Sequence, residues 1–141
     1  MFNSIINSIL NFFNKKDKNF YYLSLLNDNN KWHIHGLWPQ NSKDSYPSFC
    51  RTVDFDINKL NSIIEQLNEY WYSLEEKNEL FWSHEWKKHG SCMFNDMDEF
   101  DYFNKTLELF KKVKDMGIIE NYKNGKKSLI PFDLNFNLIK N

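Results

Sequence analysis

One segment constrains this chain more than any other: residues 81–92 read Phe-Trp-Ser-His-Glu-Trp-Lys-Lys-His-Gly-Ser-Cys. On an α-helix, at about 100° per residue, Lys88, Glu85 and His89 lie about 40°, 100° and 140° from His84. An acid, two imidazoles and a fixed cation on one face are suited to proton transfer beside a developing negative charge. The segment therefore predicts a helix with four ionisable side chains on one face.

The predicted helix covers residues 78–90 and also places Phe81 on the ionisable face. Gly90 is expected to end the helix in the left-handed conformation that glycine adopts at helix C-termini. Charged helix faces are in most cases only solvated surface, and lone histidines are in most cases structural. The segment needs a partner elsewhere in the chain before it indicates a functional site.

That partner lies upstream, where residues 32–39 read Trp-His-Ile-His-Gly-Leu-Trp-Pro. The pattern predicts a strand that is broken by Pro39. Together the two segments resemble the paired active-site signatures of the ribonuclease T2 family. The first signature is aromatic-x-aliphatic-His-Gly-Leu-Trp-Pro, and the second is Phe-Trp-x-His-Glu-Trp-x-Lys-His-Gly-x-Cys. Both are matched in the family's order, and the resemblance covers residues 20–135 approximately.

The resemblance implies a metal-independent and cofactor-independent endoribonuclease that cleaves single-stranded RNA by transphosphorylation. A ribose 2′-hydroxyl would attack the adjacent phosphorus and leave a 2′,3′-cyclic phosphate, so DNA should be inert. By the same resemblance, His89 is the general base and His35 the general acid, and His84 holds the phosphate. Lys88 would stabilise the pentacovalent intermediate by its charge and Glu85 by hydrogen bonding.

Three further residues are expected to bind substrate. Trp38 is placed to stack on a base, with core packing as an equal alternative. Phe81 matches a base-contacting position of plant-like family members, and Gln40 stands where many relatives have an acidic residue that contacts the base. His33 shares a strand face with His35 and is expected to be a partly exposed polar residue, with a role in the site as the lesser alternative.

The chain has two cysteines, Cys50 and Cys92, and a pair of cysteines taken alone favours free buried thiols. Each one, however, follows one of the two signatures, and the resemblance implies a disulfide between them. Closing that loop would contribute about 4 kcal/mol in the chain-entropy model. A disulfide favours a secreted location or another oxidising compartment, although no clear signal peptide is recognisable.

Length and composition narrow the class of protein. A chain of 141 residues with an 18% aromatic share predicts one catalytic domain, over residues 20–141, with a well-filled core. Residues 1–13 have an amphipathic helix pattern, followed by a polar linker to residue 19. A net charge of −1 excludes a generally basic nucleic-acid surface. No apolar run is long enough for a transmembrane segment, and a monomer is expected.

The resemblance implies an α+β fold, with a small antiparallel β-sheet and packed helices, trimmed at both ends relative to the family. The predicted strands and helices are 20–26, 31–37, 57–70, 78–90 and 97–116, the last ended by Gly117. We expect the sheet to carry His35 and the 78–90 helix to line a cleft. The imidazoles of His35, His84 and His89 should lie within about 8 Å of each other.

Features of the sequence also suggest two other functions. A zinc hydrolase is suggested by His84 and Glu85 followed by a later histidine. A zinc-protease helix, however, needs histidines four residues apart, and His89 lies five residues after His84. The other is a family member that has lost catalysis and serves as an RNA-binding or secreted interaction protein. The shortened ends favour it, whereas the complete set of catalytic-type residues opposes it.

Overall fold

A computed structural model describes residues 18–140 of the chain. Its sheet has four antiparallel strands in the order β2-β1-β4-β3. The strands are β1 (Phe20–Asp28), β2 (Lys31–Gln40), β3 (Lys123–Asn124) and β4 (Lys127–Phe132). The first two form a hairpin whose turn residues, Asn29 and Asn30, have φ values of 49° and 64°. Asparagine tolerates this left-handed conformation better than other side chains do.

The second strand continues through Pro39, so the prediction that Pro39 breaks it was wrong. The reason is that β2 lies at the edge of the sheet, where proline is tolerated because its missing N–H can face away from the neighbouring strand. Side chains from other elements donate hydrogen bonds to backbone carbonyls of this edge strand. The indole of Trp71 donates to the carbonyl of His35 at 2.9 Å, and the hydroxyl of Tyr102 donates to that of Leu37 at 2.9 Å.

A β-bulge interrupts the pairing of β1 with β2. Ser24 pairs with Gly36 and Leu25 pairs with Ile34, which leaves His35 as the extra residue. Bulges bend a strand and re-aim its side chains, and they are common beside active sites. The bulge therefore places His35 outside the regular alternation of the strand.

The helical segments follow the predicted order. Residues Ile57–Ile63 form a 3₁₀ helix, and the α-helices are α1 (Ile64–Tyr70), α2 (Asn78–Lys88) and α3 (Glu99–Met116). Gly117 ends α3 at φ 66°, as predicted. Each of α3 and the 57–63 segment begins at an aspartate that accepts a backbone hydrogen bond, as capping requires.

The predicted role of Gly90 was wrong. The helix α2 ends at Lys88, and residues Gly90–Cys92 form a 3₁₀ turn, not a left-handed cap. Glycine is required here for a steric reason, because a Cβ at position 90 would overlap the ring of Trp86.

The core lies between the sheet and the helices and is dominated by aromatic side chains. Trp71, Trp82 and Phe103 are almost fully buried. The indole of Trp82 donates to the carbonyl of Trp71 at 2.6 Å, and the rings of Trp71 and Phe103 are 4.8 Å apart. The amphipathic helix α3 packs its apolar face into this core. The α+β prediction is confirmed, and the high aromatic content fills its core.

Residues 41–56 form a loop that a disulfide ties to the end of α2. Cys50 and Cys92 are bonded with their Cα atoms 5.1 Å apart, which confirms the predicted pair. The backbone N–H of Phe49 donates to the carbonyl of Lys88 at 2.9 Å, and that of Cys50 donates to Ser91 Oγ at 3.1 Å. The Nε of Arg51 also donates to the carbonyl of Ser91 at 3.2 Å, so hydrogen bonds as well as the covalent bond attach the loop to the helix end.

The amphipathic pattern at 1–13 and most of the linker after it lie outside the described residues. Within residues 18–140, none of the helices is long and apolar enough to cross a membrane.

Candidate active site

Side chains of β2 and α2, together with Tyr46 and residues 72–76, line a cavity of about 440 Å³. Most of the predicted site residues line it: His35, Trp38, Phe81, His84, Glu85, Lys88 and His89. Strand β2 supplies His35, at the bulge, and Trp38, whereas α2 and the residue after it, His89, supply the others. The two signatures thus meet at one cavity.

Glu85 lies at the centre of this group and is only 2% exposed. Its Oε1 is 3.6 Å from His35 Nε2, and its Oε2 is 3.9 Å from His89 Nε2. The indole N–H of Trp38 donates a hydrogen bond to Oε2 at 3.1 Å. The carboxyl group therefore separates the two imidazoles and is held in place by Trp38.

Burial sets the protonation states of these three groups. Desolvation raises the pKa of Glu85 to about 8, against weaker opposing effects from the Trp38 hydrogen bond and the Lys88 charge. Desolvation also lowers the pKa of His35 to about 4 and that of His89 to about 3, and Lys88 adds to both shifts. Before substrate binds, the site therefore has a protonated carboxyl and two neutral imidazoles near neutral pH.

The two imidazoles differ in access. The side chain of His35 is 33% exposed, whereas that of His89 is 5% exposed and lies at the cavity floor. The indole of Trp38 stacks on the His89 ring at 5.1 Å and meets the His35 ring edge-on at 4.9 Å. Trp38 thus packs against both imidazoles as well as facing the cavity.

His84 and Lys88 lie closer to solvent than Glu85 and His89. His84 is exposed and Lys88 is half-buried, with its Nζ 5.7 Å from the centre of the Tyr46 ring. Both line the cavity, and the charge of each contributes to the lowered pKa values of the two inner imidazoles. The mouth of the cavity therefore has cationic or cation-forming groups, as an anion site requires.

Gln40 and His33 are placed differently from the predictions. Gln40 is buried outside the cavity and its amide donates to the carbonyl of Ser42 at 3.1 Å, so the structure does not bring it to the other site residues. His33 is 1% exposed, which contradicts the partly exposed position predicted for it. Its ring stacks on Tyr72 at 4.1 Å, because the strand turns this face toward the segment before α2.

Sequence reasoning missed two residues of the site, Tyr46 and Gly36. Tyr46 is half exposed and lines the cavity, and the 41–56 loop has no helix or strand periodicity that would indicate the direction of its side chain. Gly36 lies against the centre of the site, since a Cβ at this position would be 2.5 Å from Trp38 Nε1 and in collision with Glu85 Oε2. Its place between His35 and Trp38 in the signature was the only available signal.

Substituting Gly36 by alanine is expected to lower the turnover of the site by a factor on the order of 10², since a displacement of about 1 Å in a reacting group can cost that much. The added methyl group would push the Glu85 carboxyl away from Trp38 Nε1. Steady-state kinetics with thermal denaturation as a control would test this. A variant that keeps full turnover would show that the Trp38–Glu85 contact is unimportant.

Among residues 18–140, no group of three or more His, Cys, Asp and Glu side chains is arranged to hold a metal ion.

This chain is similar in sequence to several known proteins. Ribonuclease DdI of Dictyostelium discoideum is 38% identical over 106 residues, which cover 72% of this chain and 48% of that protein. A ribonuclease-like storage protein of Panax ginseng is 35% identical over 92 residues, covering 64% of this chain and 39% of that protein. The chain thus spans about half the length, or less, of the curated relatives it matches.

A solved structure shows the same fold. Ribonuclease MC1 from bitter gourd seeds, crystallised as a variant in complex with 5′-GMP, superposes with a TM-score of 0.72 at 19% identity. The match covers 85% of this chain and 91% of that one. The sequence profile of the ribonuclease T2 family matches residues 10–127, a stretch that includes both signatures and the disulfide. This chain therefore belongs to the ribonuclease T2 family.

Proposed function

We propose that this protein is an endoribonuclease that cleaves single-stranded RNA by transphosphorylation, through a 2′,3′-cyclic phosphate. The observation that carries the proposal is the pair of imidazoles whose Nε2 atoms face the two oxygens of Glu85 in one cavity. Two imidazoles at one cavity can serve as base and acid of a single reaction. The family relationship supports the same activity.

The buried imidazole of His89 is suited to be the general base. Burial lowers its pKa to about 3, so it is neutral near pH 7, and a bound phosphodiester anion raises its basicity so that it can accept the proton of a ribose 2′-hydroxyl. The oxygen freed of that proton attacks the adjacent phosphorus, and a pentacovalent intermediate forms. His35, which is more exposed, donates its proton to the departing 5′-oxygen, and the P–O5′ bond breaks.

Three side chains are proposed to hold the phosphate and stabilise the intermediate. His84 and Lys88 at the mouth offer N–H donors and positive charge to non-bridging oxygens. Glu85 contributes as a neutral acid, because burial raises its pKa to about 8 and a protonated carboxyl can donate a hydrogen bond to a phosphoryl oxygen. An ionised carboxylate at the same place would repel the substrate.

Substrate binding is proposed to complete the protonation of the site. Before substrate binds, the pKa of His35 is lowered to about 4, so this imidazole is mostly neutral near pH 7 and cannot act as an acid. A phosphodiester anion beside it favours the imidazolium form and raises its pKa. The substrate itself thus creates the acid that the reaction needs.

RNA is the proposed substrate because the nucleophile belongs to the ribose. Trp38, Phe81 and Tyr46 place aromatic rings around the cavity, where bases can stack irrespective of sequence. The bound 5′-GMP of the ribonuclease MC1 variant is consistent with a nucleotide site in this fold.

The experiment that tests the proposal uses a short RNA and its all-deoxy counterpart, incubated with the protein in excess EDTA at about pH 5 and about pH 7. We expect RNA ends that carry a 2′,3′-cyclic phosphate and no cleavage of the DNA. Activity that EDTA abolishes would favour a metal-dependent hydrolase. No cleavage by folded, disulfide-bonded protein would contradict the proposal.

The pH dependence of kcat/KM follows from the same pKa shifts. The acid must be protonated in the free enzyme, so activity falls as pH rises through the lowered pKa of His35, about 4. The base must be neutral, so activity falls as pH drops through the pKa of His89, about 3. Both shifts move the optimum of kcat/KM below 6.5, the ordinary imidazole pKa.

This prediction is checked with pH profiles of kcat/KM and kcat on a dinucleotide, with tryptophan fluorescence confirming that the protein stays folded. The optimum of kcat should lie at higher pH than that of kcat/KM, because bound phosphate favours the protonated imidazole. A kcat/KM optimum at or above 6.5 would mean that the imidazoles are not desolvated as the structure indicates.

A second function is favoured by one comparison. The ginseng relative is named a ribonuclease-like storage protein. Under this alternative the chain binds RNA, or another partner, without cleaving it. Binding of a labelled RNA in the absence of any product would distinguish the alternative from the proposed activity.

A further inference from the structure

Phe49 is the most unusual exposed aromatic residue in the described part of the chain. Its side chain is 59% exposed, although it is a large apolar ring. Its backbone has a φ of 49°, in the left-handed region that costs a side chain other than glycine or asparagine some strain. Such strain persists only where the surroundings hold it, and it is often associated with function.

The surroundings of Phe49 do hold it. Its N–H donates to the carbonyl of Lys88 at the end of α2, and the next residue, Cys50, is bonded to Cys92. The N–H of Cys50 also donates to Ser91 Oγ. The loop therefore presents the Phe49 ring from a fixed backbone, next to the helix end that carries Lys88 and His89.

Phe49 differs from Phe136 in how its ring is packed. Phe136 has a similar backbone strain, with φ 62°, but its ring stacks on Tyr21 at 5.2 Å and packs against the core. Packing of the side chain therefore offsets the strain at Phe136. Phe49 has no place in the core among residues 18–140, and its aromatic neighbour there is the edge of His84 at 6.1 Å.

We propose that Phe49 is a stacking platform for a nucleobase of RNA outside the dinucleotide that is cleaved. The proposal rests on the proposed function, and it extends the substrate from a dinucleotide to a longer single strand. His84 is proposed to hold the scissile phosphate, so a ring beside it faces the nucleotide that continues the chain. Exposed aromatic rings on a fixed backbone bind bases of any sequence by stacking.

The location also separates this contact from the cavity. Phe49 is not among the residues that line the cavity, whereas Trp38, Phe81 and Tyr46 are. A dinucleotide that fills the cavity would therefore not reach Phe49, and its binding would not depend on that ring. Only a substrate with an additional nucleotide would use it.

The test compares a dinucleoside monophosphate with two trinucleotides, one extended at the 5′ end and one at the 3′ end. The variants are Phe49→Asn, which suits a left-handed backbone, and Phe49→Trp, which keeps an aromatic ring. We expect Phe49→Asn to lower kcat/KM at least about fivefold for one of the extended substrates, and to leave the dinucleotide unchanged. Phe49→Trp should keep kcat/KM for that extended substrate close to the wild-type value.

Phe136→Asn is the matched control, since it makes the same substitution at a similar backbone geometry. It should lower the Tm and leave the preference for the extended substrate unchanged, because the Phe136 ring is packed. Phe49→Asn should keep or raise the Tm, because the strain is relieved and little packing is lost. A lower Tm for Phe49→Asn without a change in substrate preference would show a structural role and overturn the proposal.

A binding measurement separates this proposal from the proposed activity. A fluorescently labelled 2′-O-methyl hexanucleotide lacks the 2′-hydroxyl nucleophile and cannot be cleaved by this route. If the protein cleaves no RNA, the proposed activity fails, and the affinity for this probe still decides the role of Phe49. An affinity that falls at least about fivefold in Phe49→Asn and recovers in Phe49→Trp would support the stacking platform; equal affinities would overturn it.

Discussion

Replacing His89 by alanine is expected to lower the rate of RNA cleavage by a factor on the order of 10² or more, with the fold intact. The substitution removes the proposed base, whose buried Nε2 lies 3.9 Å from Glu85. Burial lowers its pKa to about 3, so it is neutral near pH 7, and His35 lies next to the other oxygen of the Glu85 carboxyl group. The rate is measured as single-turnover cleavage of a short RNA, and the fold by thermal denaturation.

The matched control for His89→Ala is His33→Ala. His33 is an equally buried histidine beside the same cavity, but it stacks on Tyr72 and does not contact Glu85. It should change cleavage far less than His89→Ala does. Near-normal turnover of His89→Ala would remove His89 from the mechanism, and an equal loss in both variants would indicate a general disturbance of the cavity.

The second large effect concerns stability. Substituting both Cys50 and Cys92 by alanine is expected to lower the free energy of unfolding by about 4 kcal/mol, since an open chain regains the entropy of its loop. The bridge spans a sequence separation of 42 residues. Urea denaturation followed by tryptophan fluorescence measures the change, because several of the five tryptophans are buried in the core.

Reducing agent provides the control for the disulfide. It should destabilise the wild-type protein by a similar amount and leave the double variant unaffected. The loop that carries Tyr46 and Phe49 is attached through this bridge, so a decrease in affinity for RNA should accompany the loss of stability. A stability change well below about 1 kcal/mol would show that the folded state, not the chain entropy of the loop, determines the effect of the bridge.

Much of the site could be predicted because it depends on one helix. The regular geometry of α2 fixes the relative directions of His84, Glu85 and Lys88 from their spacing alone, and His89 follows directly as the C-cap residue. The disulfide partner and the meeting of the two signatures were supplied by the resemblance to the family. Neither follows from local sequence patterns, since Cys50 and Cys92 are far apart along the chain.

The features that could not be predicted depend on tertiary packing. The bulge at His35 arises from the register of β1 against β2, which local propensity does not encode. The predicted cap at Gly90 was wrong because the Trp86 ring, not a left-handed backbone, requires glycine there. The burial of His33 likewise depends on Tyr72, which belongs to the connection between α1 and α2.

The position of β2 at the edge of the sheet has a consequence for the behaviour of the protein at high concentration. An open edge strand offers unpaired backbone groups to another molecule and is a common starting point for aggregation. Here Trp71 and Tyr102 occupy the carbonyls of His35 and Leu37, and Pro39 has no N–H to offer. The strand that supplies a proposed catalytic imidazole is thereby protected against strand addition by a neighbouring chain.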